Sequence, residues 1–428
     1  MPLQAPLAGK TEGAGTAIRA RLASLFFLQY LATGMWFVPL GGYMSKALGF
    51  DDIIGSAFGM IGLATILSTL LVGMLADRYV SAERLLATIS LLAGLSLLVL
   101  SCVTGSRSLF LLAMLVHCLF YSSSLPVAVS LTFASLQDPA RQYPSVRIFG
   151  TIGYIAAGLA IGLIPGAGQS SLPMQLGAAI HLLTALYCLT LPHSPPCAGS
   201  TRMGVTEMLG LDVVKSVRQP AFWVFIAAVL LMVIPKKFYD GYLNVFLVEK
   251  SVSFDLWGLT VEPTAIQTLG QVVEMATLLT LPAFISRFGI RRVMIVGMLG
   301  WIARFLCWAF GFSGGAAFMP LILTGILLHG LSYDFFFVSG QIWLDRRFPP
   351  EARGRIQAFY WFILSGLGVV LGSNLAGAAY RWQTIPGGGH DWRMIWLTPA
   401  AITAVVLLLF LLIFRESAPE SRPKAGAS

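Results

Sequence analysis

Residues 85–105 read LLATISLLAGLSLLVLSCVTG, twenty-one consecutive positions without a charge. Crossing the hydrocarbon of a bilayer takes a helix of roughly 20 apolar residues, so this stretch is long enough to span. Comparable runs flank it near 22–44, 53–75, 108–133, 146–164 and 173–191. Six more follow near 220–247, 263–285, 291–312, 316–343, 355–378 and 393–414. Composition agrees. Of 428 residues, 57% are hydrophobic and 11% charged, and the mean hydropathy is +0.79, whereas soluble domains carry about 25% charge. The chain reads as an all-α membrane protein with twelve transmembrane helices.

Several classes fall away with that reading. Charge is too sparse for a disordered chain, and five cysteines, an odd number, argue against a secreted disulfide scaffold. Cys102, Cys118, Cys188 and Cys307 fall in apolar runs. Cys197 lies in a loop four residues from His193, but no second ligand pair accompanies them, so no metal site is expected. The net charge of +9 reads as basic loops facing anionic lipid rather than as nucleic-acid binding. The first apolar run is too long for a signal-peptide core and lacks an A-x-A cleavage site.

The basic residues are distributed unevenly. Nineteen, among them Lys10, Arg78, Arg202, Arg292 and Arg422, fall on the two tails and the even-numbered connections. Five, Lys46, Arg107, Lys250, Arg381 and Arg393, fall on the other side. This asymmetry predicts both termini in the cytoplasm. The expected layout is a tail over 1–21, six helices over 22–191, a central cytoplasmic loop over 192–219, six helices over 220–414 and a tail over 415–428. Pro192, Pro195, Pro196 and Gly199 punctuate the central loop. A weak repeat, Leu75-Ala76-Asp77-Arg78-Tyr79 after the second span and Ile285-Ser286-Arg287-Phe288-Gly289 after the eighth, makes the halves pseudo-symmetric.

Seven charged residues remain inside predicted spans: Arg147, Lys236, Lys237, Asp240, Glu274, Arg304 and Asp334. A charge at a helix centre costs roughly 2.5–3.5 kcal/mol on insertion scales, so each must face the bundle interior, water or a partner. Arg147, Thr151 and Tyr154 form one stripe at i, i+4 and i+7. Lys236 or Lys237 can pair with Asp240, Lys236 being read as the bystander. Gln271 and Glu274 share a face, and so do His329 and Tyr333, with Asp334 about 100° further round. Arg304 is read as a structural partner of Asp334 or Glu274. Trp36, Phe37, Tyr121, Tyr154, Tyr333 and Phe337 offer rings for a planar ligand.

Two six-helix halves around a central loop resemble the major facilitator superfamily, and Gly73-x-Leu75-Ala76-Asp77-Arg78 resembles that superfamily's loop motif. Within it the chain is similar to bacterial nucleoside:proton symporters from about residue 25 to 414. The similarity rests on Leu28-Gln29-Tyr30-Leu31-Ala32-Thr33-Gly34-Met35-Trp36, on Val146-Arg147-Ile148-Phe149-Gly150-Thr151-Ile152-Gly153-Tyr154, on Gln271-x-x-Glu274 and on Tyr333-Asp334-Phe335-Phe336. Thr190-Leu191-Pro192-His193 and Leu209-Gly210-Leu211-Asp212 flank the central loop in the family manner.

The resemblance implies a nucleoside site lined by Arg147, Thr151 and Tyr154 from one half. Gln271, Glu274, His329, Tyr333 and Asp334, with span-seven groups Lys237 and Asp240, would line it from the other. Glu274 and Asp334 are the expected proton carriers, with H+ as the coupling ion and no cofactor. This chain departs from the pattern at Lys237 and Asp240, where amides are expected, and at His329 and Tyr333, where Tyr and Phe are expected, which leaves the preferred base open. The expected partners are a nucleoside and membrane lipid, in a monomer in a bacterial inner membrane. Asn244 and Asn374, the two asparagines, begin no glycosylation sequon. The rival readings are the same fold carrying a sugar, a modified nucleoside or an exported compound, and a non-transporting sensor. No H-E-x-x-H or Walker run supports an enzyme. Gly311-Phe312-Ser313-Gly314-Gly315 matches G-x-S-x-G without the strand-turn-helix context, and reads as a Gly-rich turn.

Overall fold

A helix stands at each of the twelve predicted positions. The computed structural model describes residues 12–75, 80–194, 204–215, 217–313 and 316–415. In chain order they are α1 (Glu12–Phe37), α2 (Ile54–Leu75), α3 (Ala82–Cys102), α4 (Arg107–Ser135), α5 (Pro139–Gly162) and α6 (Leu172–Cys188). The second half holds α7 (Pro220–Glu249), α8 (Pro263–Phe288) and α9 (Ile290–Phe310). There follow α10, bent by 42° between Met319–Leu327 and His329–Arg347, α11 (Pro350–Trp382) and α12 (Trp392–Ile413). Among the described residues ten helices are long and apolar enough to cross a membrane, eleven if the bent α10 counts as one span. The remaining apolar helix, α6, is 17 residues long.

Local chemistry sets the helix ends. Ser106, Asp138 and Asp391 accept from the backbone N–H three residues on, at Leu109, Arg141 and Met394, and so cap α4, α5 and α12. Proline occupies the first turn of α7, α8 and α11, where its missing N–H leaves nothing unpaired. Helix α1 starts at Glu12, ten residues before the expected span, because the Ala-rich stretch to Arg21 continues the helix out of the apolar run. Phe312 and Ala317 pair as a small antiparallel turn where G-x-S-x-G was noted; Gly314 and Gly315 lie outside the described residues. So do Lys10, Asp77 and Arg78 of the loop motif, Cys197, Arg202 and the C-terminal basic residues past Arg415.

The two halves meet along small-residue seams. A Cβ on Gly62 of α2 would lie 2.7 Å from the Gly366 carbonyl oxygen of α11, and one on Gly55 would lie 2.7 Å from the Cα of Gly377. On the other seam, Gly158 and Gly162 of α5 admit Thr268 and Ala265 of α8. Hydrogen bonds reinforce the approach. The Tyr380 hydroxyl donates to Asp51 (3.0 Å), Arg381 to the Asp52 carbonyl (2.9 Å), and the Gly166 N–H to Glu262 (2.8 Å). These polar contacts lie at the end of the bundle that carries connections 47–53, 163–171, 250–262 and 383–391. That end is closed by backbone proximity.

The central connection is tethered to the second half. Arg355, at the start of α11, donates to Asp212 at 2.6 Å. Desolvation, the largest single influence, pushes the Asp212 carboxyl up, but the Arg355 hydrogen bond and charge, with backbone donation from Val213, together outweigh it and hold it below its ordinary 3.8. The stabilisation is therefore present above about pH 4 and is lost as pH falls through the lowered value. The pair is partly exposed, so Asp212→Asn is expected to cost under about 1 kcal/mol, with a melting temperature that matches the wild type only in acid. Gly62→Val, in contrast, forces α2 from α11 and is expected to destabilise by about 1–3 kcal/mol; a melting curve of the purified protein in detergent measures both.

Candidate functional site

Arg147, in the first half of α5, donates to the Tyr30 hydroxyl in the second half of α1, and its guanidinium lies 4.3 Å from the Tyr30 ring centroid. Phe26 lies on the same guanidinium at 5.9 Å. No carboxylate pairs with Arg147 among the described residues. Thr151 and Tyr154 continue its face of α5 and are partly buried. Tyr154 is within electrostatic reach of Tyr121 in its own half and of Tyr239, Asp240 and Glu274 in the other. The stripe read from spacing therefore looks across the gap between the halves.

On the facing side, α7 presents a triad of charge. Lys236 and Lys237 both donate to the same oxygen of Asp240, Oδ2, Lys237 at 2.8 Å. Lys237 is 4% exposed and packs beside Gly372 of α11, whereas Lys236 is 19% exposed and stands 5.8 Å above the Tyr333 ring. The lysine expected to be the bystander is thus the one that meets Tyr333, because α10 passes on the Lys236 side of α7.

A second chain of groups crosses α9, α10 and α8. Arg304, fully buried, donates to the Gly325 carbonyl at 3.2 Å and to Nδ1 of His329 at 3.1 Å. Its guanidinium is sandwiched among Tyr239 (4.2 Å), Trp301 (4.8 Å) and Trp308 (4.8 Å), each a cation–π contact. Nε2 of His329 lies 3.2 Å from Oε2 of Glu274. Arginine can only donate, so Nδ1 must accept, and the imidazole proton sits on Nε2, where it donates to Glu274. Arg304 does not pair with Asp334 or Glu274 directly, as the spacing suggested; the imidazole stands between them. His329 and Tyr333 stack, as their spacing predicts, with centroids 6.0 Å apart.

Asp334 opens a π turn, Asp334–Val338, that follows the bend in α10. Wide turns of this kind recur at functional positions. The Asp334 side chain is 1% exposed, and its Oδ2 meets no hydrogen-bond partner among the described residues. Glu274, 27% exposed, is the carboxylate in its electrostatic neighbourhood. Gln271 lies beside Tyr239 one turn before Glu274. Of the rings offered for stacking, Trp36 and Phe337 are core residues, while Tyr154 and Tyr333 are partly open.

The sequence reading missed Tyr30 and Tyr239. Tyr30 had a signal: Gln29, Tyr30 and Thr33 cluster on an otherwise apolar first span. Tyr239 had none beyond its place beside Asp240.

Two six-helix halves, closed at one end, with charged side chains from both collected between them, define a secondary transporter of the major facilitator architecture. The chain belongs to the nucleoside H+ symporter family, whose sequence profile matches residues 16–419. It is 32% identical to YegT of Escherichia coli (strain K12) over 410 residues, covering 93% of this chain and 94% of that one. It is 29% identical to the nucleoside permease NupG of the same organism over 409 residues, covering 93% and 96%. A crystal structure of a variant of the nucleoside transporter NupG superposes with a TM-score of 0.85 at 28% identity, covering 93% of this chain and all of that one.

Replacing His329 with Phe keeps the ring between Tyr239 and Tyr333 but strips partners from both Arg304 and Glu274. Arg304 is fully buried, and a lost partner there costs about 1–3 kcal/mol, whereas Glu274 is partly exposed and loses less. His329→Phe is therefore expected to lower the melting temperature more than Tyr333→Phe does, read on the same purified protein.

Proposed function

We propose that this protein takes up nucleosides together with protons across a bacterial inner membrane, as a monomer with both termini in the cytoplasm. The halves rock about the central site, so that it faces one side and then the other. The observation that supports the reading is that Tyr154, on the face of α5 that Arg147 and Thr151 share, stands within electrostatic reach of Tyr239, Asp240 and Glu274 of the other half. Neither half holds a complete site, which is what transport coupled to rocking requires. The closed end lies opposite the termini; with cytoplasmic termini it is the outer end, and the conformation is open inward.

Each group has a chemical task. Tyr154 and Tyr333 offer faces to a base, Gln271 can pair with its edge, and carboxylates accept from ribose hydroxyls. Asp334 and Glu274 carry the coupled proton. An ionised carboxylate with an oxygen left unpaired in a dry site is costly, and protonation removes that cost. Glu274, partly exposed and touching His329, is placed to exchange protons with water and to sense the substrate. Arg147 remains charged throughout and anchors whatever acceptor the substrate presents.

Uptake of radiolabelled uridine by cells making the protein tests this, with and without a protonophore. Asp334→Asn is expected to reduce accumulation to the protonophore-treated level while exchange of labelled for unlabelled nucleoside persists. Accumulation that survives in both Asp334→Asn and Glu274→Gln would remove the coupling assignment.

A further inference from the structure

We infer that the site is shaped for a nucleoside that carries one negative charge, and that Lys236 receives that charge. The inference rests on the nucleoside reading and specifies which nucleosides. It comes from pairing the charges off. Asp240 is shared by Lys237, buried against α11 and held at 2.8 Å, and by Lys236 at 2.5 Å, so the three together carry one positive charge in excess. Glu274 is matched by Arg304, with the neutral His329 imidazole relaying between them at 3.2 and 3.1 Å. Asp334 has an unpartnered oxygen and no ion pair among the described residues.

One positive charge is thus in excess on each half. Arg147 meets the Tyr30 and Tyr143 hydroxyls and aromatic faces, and no carboxylate among the described residues. Lys236 shares an acceptor oxygen that Lys237 already occupies, so one carboxylate faces two ammonium groups. Lys236 is also the more exposed of the two lysines and stands over Tyr333. A ring stacked on Tyr333 would bring its edge toward that ammonium. An anion there relieves the excess that Asp240 alone cannot balance, most fully when Asp334 holds the proton. An entirely neutral ligand would leave the excess charge of the lysine pair, and Arg147, without a counter-charge in a site of low dielectric.

Two ligand chemistries supply such a charge: a base acidic enough to lose its proton, and a base bearing a carboxylate. Ligand-dependent melting shifts of the purified full chain in detergent separate them, with inosine and uridine as neutral probes, xanthosine for the acidic base and orotidine for the carboxylate. At least one anionic probe is expected to bind about tenfold more tightly than its neutral counterpart, the size of one charge-assisted hydrogen bond. Whichever probe shows the preference identifies the source of the charge. Lys236→Met is expected to erase the preference and Lys236→Arg to retain it; should Lys236→Met not fold, Lys236→Gln serves, being neutral and still polar. Parity between neutral and anionic probes in the wild type overturns the inference and leaves the nucleoside reading standing, as does a preference that survives in the neutral variant. No shift with any probe overturns both.

Discussion

Hydrocarbon solvates neither a charge nor an unpaired backbone group, and that constraint organises this protein. Twelve apolar helices satisfy their own backbones. The charged side chains they carry must then be paired inside the bundle or face the gap between the halves. Within the second half, Lys237 with Asp240 and Arg304 with His329 and Glu274 form compensated groups, each pinned by aromatic or glycine packing. A structural ion pair would end the account at that point. Lys236, which shares Asp240 with Lys237, Arg147, which meets no carboxylate among the described residues, and Asp334, with an unpartnered oxygen, are not compensated in the same way.

Closure and site are linked by the same helices. Helices α2 and α11 touch at backbone distance through Gly62 and Gly366, and α5 and α8 through Gly162 and Ala265. Arg147 sits on α5 and Glu274 on α8, further along the very helices that form the second seam. Opening one end must therefore change how Arg147 and Tyr154 stand relative to Glu274. That is a mechanical route by which substrate and proton occupancy bias the rocking.

Most of the fold was legible because a bilayer demands long apolar runs, and such runs are visible without any tertiary information. The ends were less so: α1 extends back to Glu12 because helix propensity outlasts hydrophobicity, and α6, at 17 residues, is shorter than its apolar run. At the site, every intramembrane charge was visible as an anomaly, and same-helix pairs such as Lys237 with Asp240 and His329 with Tyr333 followed from helical spacing. Partners on different helices did not. The Arg304–His329–Glu274 chain joins three helices, and spacing along one helix carries no information about it. The bend at Leu328 and the π turn at Asp334 were also hidden, since no proline marks either place. Nor does spacing say which of two adjacent lysines meets Tyr333, since that depends on where α10 passes.

The central claim, that one movement carries nucleoside and proton together, is tested most directly by proton flux. The purified protein would be reconstituted into vesicles loaded with a pH-sensitive dye, and a nucleoside added outside with no imposed gradient. The account predicts acidification of the vesicle interior on addition, absent from protein-free vesicles and from vesicles containing Asp334→Asn. Entry of labelled nucleoside without any accompanying acidification would contradict it.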